Sequence, residues 1–351
     1  MKNVFVLLIL SMLLISCKQS VETPSTNNTD AKPDYLSFEG RDDQFTGGIK
    51  MIPITTPKGT FKVWTKRVGN NPTKKVLLLH GGPGMTHELY TCFDGYFPEE
   101  GIEYIYYDQL GSYYSDQPDD LDLWTKDRFV EEVEQVRLAL GLDASNFYLL
   151  GQSWGGMLAM EYALKYQDNL KGLVISNMMS SIPEYNLYAQ EVLGPQMDPA
   201  IYKEIKAMED AEDFGNPKYG ELLFQYYYTE HVLRMPPDEW PEAVMRSLTH
   251  HANNQVYVHM QGYSEFGVTG NATLKDWDVK NRLKEIKVPT LVIGAQYDTM
   301  DPAHMEWMSK EVQHGRYLYC PNGSHLSQYD DQKTYMNGVI QFINDVDQKK
   351  F

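Results

Sequence analysis

The chain has 351 residues, 42% of them hydrophobic and 23% charged, with 26 Gly, 18 Pro and only 3 Cys. These proportions suit a globular protein with a large core and exclude a collagen-like, disulfide-scaffolded or mostly disordered chain. Lys and Arg total 31 against 48 Asp and Glu, a formal charge of −17; such a surface repels a phosphate backbone, so no nucleic acid is expected as partner, and a cationic or neutral small molecule fits better.

Lys2 precedes an apolar run from Val4 to Ile15 that is broken only by Ser11. As a helix this run is too short for a hydrocarbon core of about 30 Å, and it reads as a secretory signal. Its end, Leu14-Ile15-Ser16-Cys17, resembles the lipobox of bacterial lipoproteins. That likeness implies a signal peptide over residues 1–16 and lipidation of Cys17. The protein would then be exported and held to a bacterial membrane, at its periplasmic face or the cell surface, through the lipid anchor only. Lys18, standing where Asp would hint at inner-membrane retention, favours the outer membrane. Residues 17–40 combine the lipidated Cys with a polar tether that lacks any apolar period and has too little surface to bury.

Beyond the tether, Gly48–Thr55 and Thr60–Arg67 predict a hairpin turning at Pro57-Lys58-Gly59. Apolar runs follow at Lys75–Leu79, Ile102–Tyr107, Phe147–Leu150, Leu170–Ser176, Thr290–Ile293 and Arg316–Cys320, as expected of strands covered on both faces. Helical patterns lie between them. Arg128–Leu140 sets Phe129, Val133, Val136 and Leu140 on one stripe, and Trp154–Lys165 and Tyr335–Val346 behave alike. Strand alternating with helix predicts an α/β fold with a mostly parallel sheet and helices on both faces. From 181 to 270 no strand-like run occurs, which predicts an inserted α-helical cap splitting a core of 41–180 and 271–351. Sites of open α/β sheets form at the C-terminal strand edge beneath such an insertion.

Cys92 and Cys320 read as two buried thiols rather than a bridge. No spacing resembles a metal site, and His250 and His251 would point apart on a helix. No cofactor is expected.

Gly151-Gln152-Ser153-Trp154-Gly155 matches G-x-S-x-G, after a strand run and before a helix. Ser153 must sit on a turn tight enough that side chains at 151 and 155 would collide. A serine hydroxyl needs an aligned base, and on this fold the order is Ser, then acid, then His. Asp298 follows the strand Thr290–Ile293, and His325 follows Arg316–Cys320. His325 would take the Ser153 proton while Asp298 holds the imidazole. Asp301 is the near rival of Asp298, but Asp301-Pro302 reads as a turn before a helix. His80-Gly81-Gly82-Pro83-Gly84 follows Lys75–Leu79 and offers one oxyanion donor at Gly82, the other being the N–H of Trp154.

HGGPG, Asp108-Gln109-Leu110-Gly111 and Gly151-Gln152-Ser153-Trp154-Gly155-Gly156 together resemble the proline iminopeptidases and tricorn-interacting aminopeptidases of the α/β-hydrolase fold. The likeness extends to Met260–Phe266 and Asp276-Trp277-Asp278. It implies a serine hydrolase that releases an N-terminal residue, often proline, from short peptides with a free N-terminus. Such an enzyme needs carboxylates facing the substrate ammonium. Glu265, in the matching motif, is the first candidate, Glu230 the second and Glu221 the third. Two positions depart from the family pattern and are expected near the substrate. Tyr113 stands where a second glycine is common, and Tyr263 where proline is. Residues 181–270 hold 14 acidic and 5 basic residues, a lid that would draw cations inward. Of the aromatics Tyr226, Tyr227, Tyr228, Trp240, Tyr257, Tyr263 and Phe266, most are expected in the cap's core and one or two along a slot for a proline ring. The competing reading is an esterase or amidase on the same fold that needs no free amine.

Overall fold

A computed structural model describes residues 34–351. The expected lipidation site Cys17 and most of the expected tether therefore lie outside the described residues. Among the described residues no helix is long and apolar enough to cross a membrane.

Among the described residues eight strands form one sheet: β1 (Ile49–Thr56), β2 (Gly59–Val68), β3 (Lys75–Leu79), β4 (Glu103–Asp108), β5 (Phe147–Gln152), β6 (Gly172–Ser176), β7 (Thr290–Ala295) and β8 (Gly315–Cys320). Their spatial order is β1-β2-β4-β3-β5-β6-β7-β8. The hairpin β1–β2 is antiparallel, and β2 runs antiparallel to β4. From β4 to β8 every neighbouring pair is parallel.

The apolar runs are continuous because both faces of the parallel strands are covered. Leu77, Leu79, Leu149, Leu173, Ile175 and Val292 pack on one face. Val76, Leu78, Leu150, Val174, Leu291 and Ile293 pack on the other. Burying each such side chain contributes about 1.5–3 kcal/mol. The strand expected from Leu170 begins at Gly172, where an added Cβ would fall 2.7 Å from the Tyr148 ring.

Helix α1 (Lys126–Leu140) follows an N-cap at Thr125 and ends at Gly141, whose φ of 64° suits a residue without a Cβ. Its stripe Phe129, Val133, Val136 and Leu140 is buried. Helix α2 (Trp154–Tyr166) leaves the end of β5 directly. The helix expected from Tyr335 begins three residues earlier and spans Gln332–Asp347.

Between β6 and β7 the described elements are all helical, among them Ile182–Tyr188, Pro199–Asp210, Pro217–Leu223 and Asn254–Met260. The segment has its own core around Leu193, Ile205, Tyr219, Leu223, Tyr227 and Phe266. Its two ends are pinned together, since Ser181 bridges to Asp278 and donates its hydroxyl to that carboxylate at 3.0 Å. Cys92 is half-buried, Cys320 is buried, and both thiols are free.

Candidate active site

The turn from β5 into α2 carries Ser153 at φ 56° and ψ −125°, a conformation rare for a residue with a side chain. Crowding enforces it. A Cβ on Gly151 would lie 1.9 Å from the Gly155 carbonyl oxygen, and one on Gly155 would lie 1.9 Å from that of Leu79. Only glycines let α2 start this close to β3 and β5. Ser153 is thereby exposed to a cavity of about 220 Å³ at the C-terminal edge of the sheet.

Asp298 lies beyond the end of β7 and is fully buried. Its Oδ1 is 2.7 Å from His325 Nδ1 and accepts the Met300 N–H at 3.1 Å. Thr299 Oγ1 approaches both groups, at 3.3 Å from Asp298 Oδ1 and 3.1 Å from the imidazole. With Nδ1 committed to Asp298, Nε2 is the ring nitrogen left to serve as base. His325 and Ser153 line the same cavity. The rival Asp301 instead caps a helix, accepting the Ala303 N–H at 2.9 Å.

The histidine loop is tied on two sides. Gln152, next to the serine, donates to the His325 carbonyl at 3.0 Å. From the helical segment, the His231 and Val232 carbonyls accept the His325 and Leu326 N–H groups at 2.9 Å each.

Gly82 and Trp154 also line the cavity. Trp154 is the first residue of α2, so its N–H has no acceptor within the helix. Gly82 takes φ 109°, and a Cβ there would meet the backbone nitrogens of Gly84 and Met85 at 2.8 Å. The loop is oriented by the Asp108-Gln109 motif. Gln109 donates its backbone N–H to His80 Nε2 at 3.1 Å and its side-chain amide to the His80 carbonyl at 3.2 Å. Its side-chain oxygen accepts the Trp154 indole N–H at 2.8 Å. One glutamine thus ties the loop that leads to Gly82, through His80, to the Trp154 side chain. Burial pushes the His80 pKa down to about 4, so the ring is neutral and Nε2 can accept.

Glu265 faces the same cavity from the helical segment. Its Oε1 accepts the hydroxyls of Tyr228 at 2.6 Å and Tyr257 at 3.3 Å. No hydrogen bond reaches Oε2 among the described residues, which leaves that oxygen for a ligand. Desolvation raises the Glu265 pKa above the ordinary carboxylate value; the tyrosine hydroxyls oppose the rise without cancelling it. Tyr228 and Tyr257 line the cavity beside Glu265. Tyr227, Trp240 and Phe266 are core, and Tyr226 and Tyr263 are exposed.

Other expectations need correction. The Glu230 side chain is 58% exposed and pairs with Arg234 at 3.6 Å, outside the cavity. It occupies an outward position of its helix while the backbone next to it holds the His325 loop. Glu221 is exposed as well. Tyr113 stacks on His251 at 3.7 Å between ring centroids, and Tyr263 stacks on Phe214 at 4.7 Å. Tyr263 lines an adjoining cavity shared with Tyr228, Tyr257 and Glu265, and Tyr113 lines neither.

Sequence reasoning missed Asn177. It follows β6 at φ 51°, is fully buried, and donates its amide to Asp298 Oδ2 at 2.7 Å and to the Ser324 carbonyl at 3.2 Å. No motif surrounds it. Among the described residues no group of three or more His, Cys, Asp or Glu could hold a metal ion.

A family model described as the alpha/beta hydrolase fold matches residues 74–332. A proline iminopeptidase of Elizabethkingia meningoseptica is 63% identical over 301 residues, which cover 86% of this chain and 100% of that protein. A second, from Flavobacterium johnsoniae, is 63% identical over 300 residues, covering 86% and 99%. The chain belongs to the proline iminopeptidase family of α/β-hydrolases.

The solved structures agree with this membership. A crystal structure of proline iminopeptidase from Mycobacterium smegmatis superposes with a TM-score of 0.74 at 27% identity, covering 86% of this chain and 100% of that one. The crystal structure of VinJ gives 0.76 at 29%, covering 84% and 98%. For this member of the proline iminopeptidase family, the sheet, the serine turn and the histidine loop form one continuous framework, and the helical segment supplies the carboxylate opposite them.

Proposed function

We propose that the protein is a serine aminopeptidase that releases N-terminal proline from short peptides through an acyl-enzyme, with Ser153, His325 and Asp298 as the triad. His325 Nε2 takes the Ser153 proton as Oγ attacks the carbonyl carbon of the first residue. The N–H groups of Gly82 and Trp154 receive the negative charge that develops on the carbonyl oxygen; one such donor contributes about 2.7–4 kcal/mol to the transition state. The imidazolium, stabilised by Asp298, then protonates the departing amine. Water activated by the same ring cleaves the ester and restores Ser153.

The observation that carries this reading is the presence of Glu265 in the cavity that also holds Ser153 and His325. A carboxylate with one free oxygen in a cavity that also presents Met157, Met178, Ile182 and Leu274 suits a charged amine attached to a small apolar ring. Prolinium has two N–H donors where a primary ammonium has three, so a single free carboxylate oxygen leaves fewer donors unpaired with proline. The relatives' names point the same way.

The test is a panel of aminoacyl chromogenic amides, proline included, each with an N-acetylated control. Proline amides should be cleaved fastest and acetylation should abolish cleavage. Equal turnover of blocked and free substrates would instead favour the esterase or amidase reading.

Export and lipid anchoring at Cys17 are part of the proposal and are supported by the residues around the lipobox. Detergent-phase partitioning of the expressed protein, lost in Cys17→Ser, is the expected result; a wild-type protein that stays in the aqueous phase would refute the anchor.

A further inference from the structure

Glu209 is a buried carboxylate that no step above uses. It lies in the last turn of the helix Pro199–Asp210, four residues after the fully buried Ile205 and on the same inward face. An acid at a core position is costly unless fully partnered, and an apolar residue there would be cheaper. Its partners suggest what it does. Oε1 accepts the Ser264 hydroxyl at 2.6 Å and the Tyr219 hydroxyl at 2.9 Å, and Oε2 pairs with Lys206 at 2.5 Å. Ser264 Oγ in turn accepts the Phe266 N–H at 3.0 Å. The clamp therefore closes around Glu265, gripping the residue before it and, through that hydroxyl, the residue after it. From the opposite side, Tyr185 donates to the Glu265 carbonyl at 2.8 Å and Gln190 to that of Phe266 at 2.9 Å.

We propose that Glu209 is a positioning residue for substrate amine recognition, holding the Ser264–Phe266 turn so that the Glu265 carboxylate points into the cavity. The inference rests on the reading of Glu265 as the amine acceptor. It assigns a second cap acid to recognition without contact with substrate. Loss of the clamp acts on binding, because the serine, the histidine and the oxyanion donors stand on other elements.

The test is steady-state kinetics of the full chain with prolyl p-nitroanilide and with p-nitrophenyl acetate, which carries no amine. Glu209→Ala should raise KM for the prolyl substrate about ten-fold, keep kcat within about two-fold and leave acetate hydrolysis unchanged. Glu209→Gln, whose amide oxygen still accepts both hydroxyls, should return KM to within about three-fold of wild type. An unchanged KM in Glu209→Ala overturns the proposal, and so does an equal loss of kcat on both substrates. Should Glu209→Ala fail to fold, Ser264→Ala removes the same tether and must raise KM in the same direction. Glu265→Gln is measured in parallel. A rise in KM there, without one in the Glu209 and Ser264 variants, sinks the positioning role alone; no rise sinks the amine-acceptor reading and this inference with it.

Discussion

Asn177 donates its side-chain amide to Asp298 Oδ2 at 2.7 Å, while its Oδ1 accepts the hydroxyls of Ser176 at 2.7 Å and Ser327 at 3.1 Å. A residue after β6 thus fixes the acid after β7. The carboxylate can then present Oδ1 to His325 with both of its oxygens partnered.

Asn177→Ala should leave Oδ2 buried without its donor and let the carboxylate rotate. Misplacement of a catalytic group by about 1 Å costs about 10²-fold in rate. We expect kcat on a prolyl amide to fall by about that factor with KM little changed; a kcat within two-fold of wild type would show that Met300 and Thr299 suffice.

Ser153 holds a backbone conformation that costs of order 1–3 kcal/mol. Ser153→Ala keeps the cost and removes the nucleophile, so it should abolish turnover at nearly unchanged stability. Ser153→Gly should be equally inactive yet more stable by about 1 kcal/mol, since glycine adopts positive φ without penalty. Chemical denaturation of the two variants measures the difference.

Burial raises the Glu265 pKa. Between the ordinary carboxylate value and the raised one, the folded state binds more protons than the unfolded state, so stability falls as pH rises through that window. Glu265→Gln should therefore raise Tm at neutral pH and lose this advantage in acid. In the wild type, affinity for a cationic substrate should weaken as pH drops below the raised value, because the protonated acid attracts no ammonium. Thermal melts and KM across pH test the two halves.

Gly155→Ala would drive a methyl group to 1.9 Å from the Leu79 carbonyl oxygen, a backbone atom with no room to yield. Separation of α2 from β3 is the expected response, with loss of soluble folded protein or a destabilisation of several kcal/mol. Wild-type activity in this variant would contradict the crowding argument.

Periodicity and motif spacing made much of the architecture legible. The hairpin, six further apolar strand runs and the α1 stripe all stand where continuous or periodic apolar residues required them, with ends moved by one or two residues. The serine turn was equally legible, because glycines before and after a serine, between strand and helix, record a local steric demand. Glu230 was misjudged for the opposite reason. Its neighbours do approach the site, but through backbone carbonyls, and a helix turns alternate side chains away from what its backbone touches.

Local order in the chain determined the sheet and the tight turn. Those features follow from contacts between residues close in sequence or from strand burial, both of which leave a pattern in residue type. Only the tertiary structure decided that Asn177 braces Asp298, that Gln109 ties His80 to the Trp154 indole, and that Glu209 grips the turn of Glu265. These are single polar contacts across 121, 45 and 55 residues of chain. Such a contact has no period and no spacing, and it exists only once folding has removed the water that would otherwise satisfy each partner.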